Sequence, residues 1–172
     1  WEERFKGLLH CDGRDNKGRV VVVIDADVVP PNMKASAARY VTAHLEPLVA
    51  EGEYVLVLTS RSAKLPSMWI MGAYTTLPRP FKKNVKWILL VRPSGFLKAV
   101  LALLRPLLSA KAGRKIRQVA HVREIESATD GEVALAHLGQ SFLGSPAGAA
   151  ELAQPLAGEE AGDAEGAASD QP

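Results

Sequence analysis

FKKNVKWILLVRPSGFLKAVLALLRPL, residues 81–107, sets a strand-like run directly before a helix-like one. VKWILLVR (85–92) is short, aliphatic and closed by Pro93, which suits a strand buried on both faces. The following segment, 94–112, has its polar stripe at Lys98, Ala102, Arg105 and Ser109, in steps of four, three and four. That spacing predicts a helix with one narrow wet face, because residues three and four apart share a side. Phe96, Leu97, Val100, Leu101, Leu103, Leu104, Leu107 and Leu108 fill the rest of its circumference, so the helix wants apolar surroundings on most sides. Pro106 lacks the backbone donor and clashes with the preceding turn, which predicts a kink or break there.

Outward from this segment the alternation continues. GRVVVVID (18–25), preceded by the turn residues DNKG, reads as another buried strand, and YVLVLTS (54–60) as a further one. Between them, residues 33–52 place Ala37, Tyr40, Val41, Leu45 and Leu48 near helical spacing and stop at Gly52. LPSMWIMGAYTTLPRP (65–80) predicts a short helix through Trp69, Ala73, Tyr74 and Leu77, closed by Pro78 and Pro80. KIRQVAH (115–121) supplies a fourth strand. The pattern predicts an α/β fold with a mostly parallel sheet flanked by helices.

Charge is uneven along the chain. Residues 145–172 are rich in Ala, Gly, Glu and Pro, hold six of the 19 acids and carry no Lys or Arg. Such a composition predicts a disordered acidic tail and a folded domain over 1–144. The remaining 13 acids face all 21 bases, a net charge of +8 on the domain. Eleven of those bases fall between Arg79 and Arg117, where no Asp or Glu occurs, and this concentration calls for an anionic partner. Nucleic acid fits poorly, because no aromatic ladder interleaves with the charges and no nucleic-acid-binding signature appears. A membrane surface fits better, since anionic headgroups attract Lys and Arg while an apolar element beside them holds an acyl chain.

Cys11 is the single cysteine, so no internal disulfide forms and the expected compartment is the reducing cytoplasm, with peripheral attachment to membranes. No apolar run reaches the ~18 residues of a transmembrane helix. The chain opens on Trp1 without a methionine or a signal pattern and reads as an excised domain.

Catalytic motifs are few. VVVIDADVV resembles the first motif of haloacid-dehalogenase-like phosphatases, in which Asp25 would attack phosphorus beside Mg²⁺ and Asp27 would handle the leaving-group proton, with Thr59 or Ser60 as the second motif. That is the alternative reading. The chemistry also needs carboxylates at a later strand end, where this chain has Val91, Arg92 and Pro93, and Glu124, Glu126, Asp130 and Glu132 follow only in a helix-like stretch. HCD (10–12) reads as a loop, and His44, His121 and His137 lack metal-ligand spacing. No metal site and no catalytic residue is assigned.

The segment 65–125 resembles the second half of a BCH domain, the divergent CRAL-TRIO domain of some Rho GTPase-activating proteins and related scaffolds. The residues that carry the likeness are FKKNVK before the third strand, the turn 91–94 with Pro93, Phe96 just after it, LLRPLLS around Pro106, and GRKI opening the last strand. GRVVVVIDADVVPP and EYVLVLTS agree more loosely, and the likeness spans about residues 1–140. Arg92 stands where the family commonly has His, and the usual Ile-Pro ending is absent around 137–142. The resemblance implies a CRAL-TRIO-like, lipid-binding fold that is not an enzyme and takes no cofactor beyond a bound phospholipid. It further implies partners among anionic lipids, Rho-type GTPases or their regulators, and other BCH domains, as homo- or hetero-dimers. On that basis Lys82, Lys83, Lys86, Lys111, Arg114, Lys115 and Arg117 are expected to face the anion. Phe96, Val100, Leu104 and Leu107 are expected to line the pocket side of a gate helix over 94–112.

Overall fold

The computed structural model describes residues 3–50, 52–59, 77–93, 95–106 and 110–156. Five strands form one sheet in chain order: β1 (Leu9–Arg14), β2 (Val20–Asp25), β3 (Tyr54–Thr59), β4 (Val85–Val91) and β5 (Ile116–Val119). β2 to β5 are parallel and β1 is antiparallel to β2. Every residue of β2 and β3 is buried, which is why these strands carry unbroken aliphatic runs rather than an alternating pattern.

Parallel strands joined in sequence order by right-handed crossovers put their connections on one face. α1 (Lys34–Ala50) accordingly packs Ala37, Val41, Leu45 and Val49 against Val20, Val22, Ile24, Tyr54, Leu56 and Leu58. Tyr40 and Leu48 flank this contact. Leu101 of α3 (Gly95–Leu104) and Ile116 join the same cluster. The opposite face, with Val21, Val23, Val55, Val57, Trp87, Leu89, Val91 and Val119, is covered among the described residues by the C-terminal part of the chain. Val122, Ile125, Val133, Leu138, Phe142 and Ala147 cover it. They lie on a 3-10 turn at Val122–Glu124, α5 (Ile125–Ala128), a second turn at Leu135–Leu138, α6 (Gln140–Leu143) and α7 (Pro146–Leu152), except for Val133, which lies in the bend between α5 and the second turn. At about 1.5–3 kcal/mol for each fully buried aliphatic or aromatic side chain, this second layer matters as much as the first.

Four features differ from the expectations. HCD is not a loop but the middle of edge strand β1, whose hairpin with β2 closes through Asp15, where Oδ1 accepts the Lys17 and Arg19 amides, each at 2.9 Å, and Gly18 sits at φ +77°. Pro80 does not end a helix; it occupies the first turn of α2 (Arg79–Asn84), where its missing N–H costs nothing. The stretch around Glu124 to Glu132 forms only short turns and the four-residue α5. The folded part also continues past 144. Ser145 caps α7 by accepting the Gly148 amide at 3.1 Å, Pro146 sits in its first turn, and Ala147, Gly148 and Glu151 are buried. A tail beginning at 145 therefore starts too early, and 157–172 lie outside the described residues.

The break at Pro106 is as expected. α3 stops at Leu104, and α4 (Ala110–Lys115) begins beyond it. Of the expected helix over 65–80, only 77–80 are among the described residues, and Ser60 is not.

Candidate functional site: a basic rim at the amino ends of the strands

α2 is held between α1 and β3. Tyr54 donates its hydroxyl to the Phe81 carbonyl at 2.8 Å, and the Asn84 side-chain amide donates to the Val49 carbonyl at 2.9 Å. These two bonds set the C-terminal end of α2, with Lys82 and Lys83, beside the start of β4. Lys115, the last residue of α4, reaches the same place: its Nζ donates to the Lys82 carbonyl at 3.2 Å and the Lys83 carbonyl at 3.4 Å. A cation on a helix's terminal carbonyls is a favourable pairing with the helix dipole.

Trp87 ties the rest of the cluster together. Lys86 Nζ lies 5.6 Å from its ring centroid and the Arg117 guanidinium 5.2 Å, both within cation–π range. The indole N–H donates to Glu132 Oε2 at 2.6 Å, and that oxygen also accepts from Arg19 at 2.6 Å. Arg19 completes a network with Asp15 at 2.7 Å and Glu53 at 3.4 Å. Arg114 and Arg117 are joined through the backbone, Arg117 Nε donating to the Arg114 carbonyl at 3.3 Å. All seven expected anion-facing residues thus come together on α2, α4 and the first residues of β4 and β5. Lys83, Lys111 and Arg114 are exposed, and Lys82, Lys86, Lys115 and Arg117 half-buried.

The electrostatics fit a site short of negative charge. Burial, then repulsion from Lys111 and Lys86, holds Lys115 below the ordinary lysine range against the attraction of Glu53. Glu132 is also shifted down, which for a carboxyl favours the charged form: burial alone would raise it, but the hydrogen bonds from Trp87 and Arg19 and the charges of Arg19 and Lys86 hold it low. It is spent on the hairpin and the indole.

Beside the rim, α3 leaves a shallow cleft against α4 and β5, lined by Leu101, Arg105, Gly113, Ile116 and Gln118. Lys98, Ala102 and Arg105 are exposed and Leu101 half-buried, as the stripe predicts. The side chains of Phe96, Val100 and Leu104, and all of Leu107, lie outside the described residues.

The carboxy ends of the strands carry a different set. Asp25 and Thr59 are buried neighbours across β2 and β3, but Asp25 Oδ1 accepts the Asp27 amide at 3.1 Å and caps the turn Ala26–Val28. Arg92 and His121 follow β4 and β5 and meet α7: Arg92 pairs with Glu151, and His121 bonds the Gln154 carbonyl. Sequence reading missed this set, because Glu151 sat in the segment assigned to the tail. Among the described residues no group of three His, Cys, Asp or Glu is arranged to hold a metal ion. His137 Nδ1 accepts the Ala134 amide, and His44 bonds the Tyr40 carbonyl. Burial and the Asp12 carboxylate push the Cys11 thiol up to about 11, away from nucleophilic use near neutral pH.

The sheet is open, its parallel strands are joined in sequence order, and a cationic rim gathers at their amino ends. A sequence model of the divergent CRAL/TRIO domain matches residues 18–142, and the chain belongs to that family. It is 34% identical over 125 residues to mouse Rho GTPase-activating protein 1, covering 69% of this chain and 28% of that protein. It is also 34% identical over 134 residues to the human Bcl-2/adenovirus E1B 19 kDa-interacting protein 2-like protein, covering 72% and 38%. A third relative is protein prune homolog 2 of Xenopus tropicalis, 31% identical over 134 residues, covering 72% and 42%. The chain thus spans less than half the length of these curated relatives. The resemblance to BCH domains read from the motifs is borne out, and nothing in the matches speaks for a phosphatase. Among the described residues no helix is long and apolar enough to cross a membrane.

Proposed function

We propose that this chain is a non-enzymatic module whose basic rim binds an anionic phospholipid headgroup at a membrane surface, with α3 as the gate over the acyl chain. The observation that carries the reading is the convergence of Lys82, Lys83, Lys86, Lys111, Arg114, Lys115 and Arg117 around Trp87 and the end of α2. Surface cations of this kind add about 1 kcal/mol each at an anionic bilayer and are screened over about 10 Å at 0.1 M salt. The shallow cleft at Leu101 and Ile116 lies beside this rim.

The test compares the parent with a variant carrying Lys111→Glu, Arg114→Glu, Lys115→Glu and Arg117→Glu. Co-sedimentation with vesicles of phosphatidylserine in phosphatidylcholine is expected for the parent, weakening with salt, and lost in the variant with its fold intact. Equal binding by the two proteins would reduce the rim to a solvated face. Native mass spectrometry of the purified chain, with lipid extraction of the same sample, tests the gate: a stoichiometric phospholipid supports it, and a mass that stays lipid-free after vesicle incubation rejects it.

A second reading has its own support. Relatives named Rho GTPase-activating proteins favour a Rho-pathway protein, a GTPase or its regulator, or a second BCH domain, on the same rim. A partner pull-down that survives delipidation would favour this scaffold role over the lipid one.

A further inference from the structure

At the edge of the sheet opposite the rim, two hydrogen-bond donors follow the ends of adjacent parallel strands. One is the Arg92 guanidinium, just after β4. The other is the His121 ring, just after β5. Nδ1 of His121 accepts the Arg123 amide at 3.1 Å, which leaves the proton on Nε2, 2.8 Å from the Gln154 carbonyl. Arg92 Nη2 contacts Glu151 Oε2 at 2.5 Å. Both acceptors belong to one short strap of chain, α7 and the residues just after it.

The strap fits its donors imperfectly. A carboxylate on arginine gains most from a two-oxygen fork, yet only Oε2 of Glu151 is engaged. Oε1 is buried with no hydrogen-bond partner among the described residues. Burial, and then the like charge of Asp25 at the end of β2, oppose the carboxylate more than Arg92 and His121 favour it. Arg92 also holds a backbone φ of +50°, a left-handed conformation that costs a non-glycine residue about 1 kcal/mol or more and that recurs at ligand sites. Its backbone N–H donates to the Val119 carbonyl at 2.8 Å, which fixes that turn against β5.

We propose that Arg92 and His121 form an oxyanion site, for a phosphate or carboxylate group, which the chain fills with its own Glu151 carboxylate and Gln154 carbonyl. The strap is an internal occupant. It is covalently attached and so acts at an effective concentration of order millimolar, and a free anion enters only when the strap lifts. The site lies away from the basic rim, so this inference stands or falls independently of the membrane reading.

The experiment uses the full chain in three forms: parent, Glu151→Ala, and the double variant Arg92→Gln/Glu151→Ala. Inorganic phosphate is titrated against sodium chloride of equal ionic strength while the unfolding midpoint is followed. Phosphate at about ten times its Kd raises the midpoint of a chain this size by about 3 °C, and that shift is expected in Glu151→Ala alone. If Glu151→Ala does not fold, Glu151→Gln keeps the side chain's shape and carries the same comparison. Vesicles containing phosphatidic acid form the second arm. A gain in vesicle binding on Glu151→Ala that Arg92→Gln removes assigns the oxyanion to a lipid headgroup, and a phosphate shift without that gain assigns it to a soluble ligand. Glu151→Ala behaving like the double variant in both arms overturns the proposal.

Discussion

Gly13 and Gly139 are where β1 and the C-terminal layer touch backbone to backbone. A Cβ on Gly13 would stand 2.0 Å from the His137 carbonyl oxygen and 2.9 Å from the Gly139 amide nitrogen, neither of which can yield without moving a chain. Gly13→Ala is therefore expected to cost about 3 kcal/mol, read as a lower urea midpoint. Gly113→Ala is the control. A Cβ there meets nothing within 4 Å inside α4, so it is expected to be neutral or to stabilise by up to about 1 kcal/mol. Lys115 supplies a titration at the same scale. Its folded-state pKa lies below the unfolded value, so the ammonium costs stability at every pH below the folded pKa, and that cost disappears as pH rises through the window between the two. Lys111→Gln removes one repulsive neighbour and is expected to raise the Lys115 pKa, measured by an NMR titration of its side chain.

At the scale of elements, β2, β3 and β4 were legible because strands buried on both faces must carry unbroken aliphatic runs. LHCDGR of β1 offered no such signal. It pairs because Asp15 and Gly18 make a hairpin turn, so DNKG joins two strands rather than only opening one. α2 was hidden by Pro80, which reads as a stop in one helix and as a start in the next. α7 was hidden by its Ala and Gly content, although Ser145 followed by Pro146 is a helix-start signature. The rim was legible, since four neighbouring elements free of acids converge at one edge of a parallel sheet. Arg92 with Glu151 was not, because 59 residues separate the two and the pair exists only once α7 folds back. At the rim, Trp87→Phe keeps the ring but loses the bond to Glu132, which retains Arg19. A loss of about 1 kcal/mol is expected in denaturant titration.

The whole molecule is a sheet with a different layer on each face and a different chemistry at each end. Sequential winding puts the crossover helices on one face and obliges the last third of the chain to cover the other, so truncation before α6 is expected to uncover Val55, Val57 and Leu89 and to yield an aggregating protein by light scattering. The cations gather at the amino ends of the strands, beside Trp87, and that indole is their natural reporter. The most direct measurement follows the Trp87 indole N–H in ¹H–¹⁵N spectra, assigned with Trp87→Phe, as a short-chain phosphatidic acid is added below its micelle concentration. A saturable shift of that signal is expected, weaker at higher salt and abolished by reversing Lys111, Arg114, Lys115 and Arg117 to Glu. A Trp87 signal that stays fixed while the lipid binds elsewhere, or a shift that survives the reversal, would contradict the assignment of the rim as the anion site.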